Sequence, residues 1–167
     1  MPQNPSLELK TTITRYGKLL ADLTGKGVDF AVVGGLAVIF NGYPRMTFDV
    51  DILVHKNPEN LRKLLDSLTH WGEGFARELR VEDFTAQEGA IRVMEDFDLD
   101  IFVQLQGKTL DDFRPRLNYL QTGGAAIPYL SASDIIDLKK NSHRQKDQFD
   151  VQAMKEILAG KTHPPRE

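Results

Sequence analysis

The stretch VVGGLAVIFNGYPRMTFDVDILV, residues 32–54, decides how the chain is read. It continues a β-branched run, VDFAVV at 28–33, that reads as a buried strand. Gly34-Gly35 ends the strand, and residues 36–40 begin a short helix that closes at Asn41-Gly42. Tyr43-Pro44 forces an extended or turn backbone. Residues 47–54, TFDVDILV, are a second strand with strict alternation at its start. Within it Asp49 and Asp51 are the anomaly. Side chains two apart in a strand leave from one face, so both carboxylates point the same way. Aspartate is a poor strand former, and like charges at this spacing repel. Something positive must offset that cost, and a divalent cation on oxygen ligands is the natural candidate.

The arrangement recurs at Asp98 and Asp100 in FDLDIFV, residues 97–103. If the two strands are neighbours in one sheet, three or four carboxylates converge. Such a cluster can hold two metal ions roughly 3.5–4 Å apart for an in-line phosphoryl displacement. A single D-x-D pair also fits an ordinary solvent-facing strand face; two pairs behind a glycine hinge fit it less well. At Gly34-Gly35 the missing side chains let backbone N–H groups approach a phosphate, although a tight turn explains a lone GG pair equally.

Outward from this core, residues 1–6 read as a loose tail, and residues 7–26 as a helix with Leu9, Ile13, Tyr16, Leu20 and Leu23 at helical spacing. Asn57-Pro58 is an N-cap with proline at the first helical position. The helix it opens carries Leu61, Leu64, Leu65, Leu68 and Trp71 on one face. Residues 72–88 show no clean period. Residues 90–94 and 97–105 read as strands joined by a tight Glu95-Asp96 turn, and 107–120 as helical or irregular. Thr122-Gly123-Gly124 is a loop and 127–130 a short strand. Ser131 to Asp134 is a capping box opening a helix through Lys140. A last helix spans 146–158, with Met154, Ile157 and Leu158 inward, and 160–167 is a second loose tail. One mixed α/β (α+β) sheet of about five strands, with helices packed on it, is the economical fold.

The 167 residues, 41% hydrophobic and 27% charged, fit one globular domain over 1–167. With 21 basic against 24 acidic residues the net charge is −3, so any nucleic-acid contact must use a local basic patch. Lys139, Lys140, Arg144 and Lys146, around His143, are the densest such cluster; a solvated helix end is its plainer reading. With no cysteine, disulfides, thiolate metal sites and cysteine nucleophiles are excluded. No long apolar run suggests a membrane span, and the N-terminus has no apolar h-region, which leads us to expect a cytoplasmic protein.

These motifs resemble the DNA polymerase beta-like nucleotidyltransferase superfamily, and more closely its small bacterial AbiEii-type toxin and related uncharacterised branch. The shared pattern is a GG or GS pair, a short helix, two acidic residues alternating in a strand, and a third acidic residue on another strand. The resemblance implies that Gly34 and Gly35 cradle phosphate and that Asp49 and Asp51 bind metal. Asp100 then becomes the third carboxylate, a metal ligand or the group that deprotonates the acceptor, with Asp98 the competing choice. SDIIDLKKNSHRQKDQFDVQAM, residues 133–154, resembles the branch's lysine helix and R-x-K-D-x-x-D element. It implies that Lys139 reaches the nucleotide phosphates and that Arg144, Lys146 and Asp147 shape the same edge. Arg45 and Thr47, just before Asp49, join the nucleotide-binding set, Arg45 either on phosphate or as a counter-ion. His55 follows the same strand, more simply as a surface residue than as a site residue. Gly35 departs from the serine of many active members.

The activity implied is Mg²⁺-dependent transfer (Mn²⁺ as substitute, two ions) of a nucleoside monophosphate from an NTP to a hydroxyl. The acceptor would be tRNA or a protein, in a toxin-like role with a cognate antitoxin, or more distantly an aminoglycoside. The alternative is a catalytically silent nucleotide- or partner-binding module of the same fold.

Overall fold

The computed structural model describes residues 5–161, with side chains from Arg15 onward. Its centre is β1 (Phe30–Val33), buried at all four positions, running into α2 (Gly34–Phe40) and returning as β2 (Asp49–Val54). β1 and β2 pair antiparallel, with Val33 opposite Asp51. The chain then forms α3 (Pro58–Leu68), β3 (Ile91–Met94), β4 (Asp98–Phe102), α4 (Leu110–Phe113), β5 (Asn118–Thr122), β6 (Ala125–Tyr129), α5 (Ala132–Lys139) and α6 (Gln145–Leu158), with α1 (Pro5–Gly25) before β1. The strands make one mixed six-stranded sheet in the order β3-β4-β2-β1-β6-β5. β2 runs parallel to β4, β1 parallel to β6, and the hairpins β3–β4 and β5–β6 are antiparallel. This is the expected mixed sheet with helices, larger by one strand.

Local signals account for most boundaries. Asn57 caps α3 by accepting from the Glu59 N–H, and Ser131 caps α5 by accepting from the Asp134 N–H. Tyr16, Leu20 and Leu23 of α1 join Leu61, Leu64 and Leu68 of α3 in the core. The expected tails lie largely outside the described residues, at 1–4 and 162–167, as do the side chains of Leu9 and Ile13; residues 5 and 6 already belong to α1.

Four expectations need correction. Trp71 is not on α3, which ends at Leu68; it sits in the following turn with its ring 5.2 Å from Phe97. Residues 118–122, read as irregular or loop, are β5. Its strand is an edge exposed at nearly every position, so it carries no hydrophobic alternation to betray it. On α6, Leu158 is exposed at 59%, while Met154 is buried. The β3–β4 connection is a three-residue loop, Glu95 to Phe97, rather than a two-residue turn, and Met94 pairs with Asp98. That single extra residue changes the register, with consequences for the site.

Candidate functional site: an aspartate face on the sheet

The parallel pairing of β2 with β4 sets Asp49 opposite Asp98 and Asp51 opposite Asp100. All four carboxylates therefore leave one face of the sheet at neighbouring positions, as the alternation required. Asp100 is 8% exposed as a residue, and Asp51 is half-buried. Burial, then the charges of Asp100 and Asp49, then a side-chain hydrogen bond with Asp100 push the Asp51 carboxyl up to about 7, with Lys139 opposing weakly. Asp100, rather than Asp98, is thus the carboxylate that meets Asp51.

One cation answers this face. Arg92 on β3 pairs in register with Asp100. Its Nε and Nη2 donate to Asp100 Oδ1 and Oδ2, each at 2.8 Å. Its Nη1 lies 3.3 Å from Asp98 Oδ2 and its Nη2 lies 3.6 Å from Asp49 Oδ2. The sequence reading missed Arg92. A two-residue turn at Glu95-Asp96 would have set Arg92 against Leu99 on the opposite face, because a one-residue slip flips every side chain. The described residues contain no group of three or more acidic or histidine side chains already gathered around a shared metal position; three of these carboxylates share the guanidinium instead.

Gly34 and Gly35 lie beneath this face. Gly34 has φ +63°, and a methyl group there would stand 2.1 Å from Asp51 Oδ2. Only glycine fits both the backbone and the space. At Gly35 the added carbon would meet Arg45 Nη2 at 2.7 Å and Thr47 Oγ1 at 3.0 Å, so Arg45 takes the room a serine would need. Thr47 is itself buried, its hydroxyl 3.3 Å from the Asp49 carbonyl, and its own carbonyl accepts from the Tyr16 hydroxyl at 3.0 Å. Burial raises the Tyr16 phenol, with Arg15 opposing and Asp49 adding to the rise.

Behind the glycines is a second charged group. Asp150 of α6 is fully buried and holds Arg45 Nε at 2.8 Å and Lys139 Nζ at 2.6 Å. Lys139 also donates to Asp147 at 3.1 Å. Although burial works against it, Asp147 is held below the usual carboxylate range by the Ser142 hydroxyl and Lys139. Lys139 and Arg45 are thus both braced by Asp150, a residue the sequence reading left without a role. Lys139 has three donors and spends two here. Arg144, Lys146 and His143 are exposed at the start of α6, and His55 pairs with Asp111 at 3.1 Å on the surface.

Next to Gly34, Asp51 and Lys139 opens a slot of about 220 Å³ with Val33, Phe102, Leu105 and Leu138 as apolar walls. Glu88 fixes its lip by accepting from Gln104 Nε2, Gln106 N and Gly107 N. Gln106 is the one described non-glycine residue with positive φ, at 50°. A larger cleft of about 810 Å³ runs between α1 and the β3–β4 loop, past Arg15, Lys18, Trp71 and Phe97. None of the four sheet aspartates lines it.

A mixed sheet with paired aspartates beside a glycine pair defines the nucleotidyltransferase class of fold. Residues 17–161 match the family described as "Nucleotidyltransferase of unknown function (DUF6036)", and the chain belongs to that family. Two solved structures share the fold. One is a presumed nucleotidyltransferase of Thermotoga maritima, 15% identical, with TM-score 0.54 over 91% of this chain and 95% of that one. The other is the lincosamide antibiotic adenylyltransferase LnuA, solved with lincomycin bound, 15% identical, with TM-score 0.51 over 94% and 98%. No curated protein matches the sequence. Among the described residues, no helix is long and apolar enough to cross a membrane.

Proposed function

We propose that this protein transfers a nucleoside monophosphate from an NTP to a hydroxyl acceptor with the help of divalent metal, Mg²⁺ or Mn²⁺. The observation that carries the reading is the register of β2 and β4, which brings Asp49, Asp51 and Asp100 to one place beside Gly34-Gly35. The donor set fits a hard dication. It is all oxygen, and three carboxylates, Asp49, Asp98 and Asp100, face the single guanidinium of Arg92. Bound metal would supply charge neutralisation on the α-phosphate and on the departing pyrophosphate.

The remaining work falls to the chain. Asp49 and Asp51 hold the cation side of the site. The triphosphate lies over Gly34-Gly35, facing Thr47, the unused donors of Arg45 and Lys139, and Arg144 at the edge. The apolar walls of the slot, Val33, Phe102, Leu105 and Leu138, suit the base. Asp100 accepts the acceptor's proton as its oxygen bonds to the α-phosphorus and the bond to pyrophosphate breaks. We assign the acceptor to tRNA or a protein hydroxyl, in a toxin-like role with a cognate antitoxin, on the motif resemblance to the AbiEii-type branch.

Differential scanning fluorimetry with Mg²⁺ and each NTP, then labelled-NTP transfer to total tRNA, tests the proposal. Stabilisation by NTP with Mg²⁺, and transfer that disappears in a folded Asp51→Asn variant, support it. Absence of any shift, with Asp49→Asn indistinguishable from wild type, would leave a silent module whose aspartates serve only to bind Arg92.

A further inference from the structure

We propose that Arg92 is the resident cation of the aspartate face and competes with divalent metal for it, so that the site becomes reactive only when metal displaces the guanidinium. The inference rests on the proposed assignment of Asp49 and Asp51 as metal ligands, with Asp100 beside them as proton acceptor. It goes further by giving a role to a residue that neither the motif nor the family match singles out.

Arg92 spends all three guanidinium nitrogens on this face: two on Asp100 at 2.8 Å, one of those also 3.6 Å from Asp49, and the third 3.3 Å from Asp98. Bidentate pairing to a carboxylate fixes both oxygens in direction as well as charge. Asp100 therefore has both oxygens turned toward Arg92, and it is also the carboxylate proposed to take the acceptor's proton. A guanidinium this close repels an approaching dication and occupies the oxygens it would need.

The placement suits a residue that leaves. β3 is one of the two outer strands of the sheet, and the Arg92 side chain is 47% exposed, against 12% for Asp100. Departure thus carries the head group into water and uncovers little apolar surface. Arg45 and Lys139 contrast with it: at 12% and 17% side-chain exposure on a fully buried Asp150, they have no comparable exit. Arg92 also makes no contact with Asp51. A dication could reach that carboxylate as well and would bring twice the charge.

The test uses Mn²⁺ alone, with no nucleotide, on the full chain. Isothermal titration of wild type, Arg92→Lys and Arg92→Gln reads affinity, and melting temperature with and without Mn²⁺ reads stability. We expect Arg92→Gln to bind Mn²⁺ at least tenfold more tightly than wild type, with Arg92→Lys between them. Without metal, Arg92→Gln melts below wild type; saturating Mn²⁺ raises its melting temperature by more than it raises that of wild type. Equal or weaker binding in Arg92→Gln would make Arg92 a structural brace and overturn the inference while leaving metal binding intact. If neither protein binds Mn²⁺, the metal assignment falls and takes this inference with it. Should Arg92→Gln fail to fold, the Arg92 Nε–H signal in the NMR spectrum of wild type decides. Faster exchange with water on saturation by Mg²⁺ supports displacement, and an unchanged signal refutes it.

Discussion

Two acidic groups lie a few residues apart in space, and the protein treats them in opposite ways. Asp150 is fully buried and meets two cations, Arg45 and Lys139, that tie α6 to α5 and to the segment before β2. The sheet face gathers Asp49, Asp98 and Asp100 around one half-exposed arginine, with Asp51 beside them and outside its reach. Charge that braces the fold is matched and mostly sealed from water, because an unpaired buried ion is costly. Charge left partly unmatched and open to solvent is available for a ligand. The contrast separates a clamp from a working surface more sharply than residue identity does, since both groups are made of aspartate, lysine and arginine.

The strongest way to break this comparison is at the clamp. Asp150→Ala leaves Arg45 and Lys139 facing each other without their anion, and should cost about 3–5 kcal/mol by urea denaturation. Asp150→Asn keeps one acceptor oxygen but loses the charge that Arg45 and Lys139 share and turns an amide N–H₂ toward a cation, so it should rescue little of that loss. Next in size are the glycines between the two groups. Gly34→Ala combines a left-handed backbone with a carbon 2.1 Å from Asp51, and should lower stability by about 1–3 kcal/mol and abolish Mn²⁺ binding. Gly35→Ser, although it restores the residue common in active relatives of the motif, should also destabilise by about 1–3 kcal/mol by pushing Arg45 off Asp150.

A smaller effect sharpens the other side. With its folded pKa raised to about 7, Asp51 keeps a proton that the unfolded chain releases near 3.8. Its contribution to stability is present at low pH and is lost as pH rises through that interval. Wild type should therefore lose about 2 kcal/mol relative to Asp51→Asn between pH 4 and pH 8 in metal-free buffer. That is about half of what an isolated group moved so far would carry, because Asp51 sits in a cluster of interacting carboxylates. Denaturation midpoints of both proteins at the two pH values measure it; a parallel course would remove Asp51 from the unmatched charge. The baseline is an exposed pair: Asp22→Asn, which breaks the contact with Lys26 at 45% and 48% side-chain exposure, should change stability by less than about 0.5 kcal/mol.

The central fold was legible in the sequence because its signals are local and agree. A β-branched run, two glycines and an alternating acidic strand each point to the same strand–helix–strand unit, and the parallel pairing of β2 with β4 gathers the aspartates as their spacing implied. What escaped notice depended on partners or on one-residue offsets. β5 was hidden because an exposed edge strand needs no alternation. Arg92 was hidden because its face depends on whether the loop before β4 has two residues or three, which composition does not fix. Asp150 closed the R-x-K-D-x-x-D element but had no role of its own; only tertiary packing makes it the buried anchor of two cations.

The adjacent glycines also act as a spacer of fixed thickness. With no side chain at either position, the Asp51 carboxylate takes the space beside Gly34 and the Arg45 head group the space beside Gly35. The distance between the solvent-open acids and the sealed ion pair is thus set in single-carbon steps, and the first such step on either residue falls on a charged partner rather than on empty space.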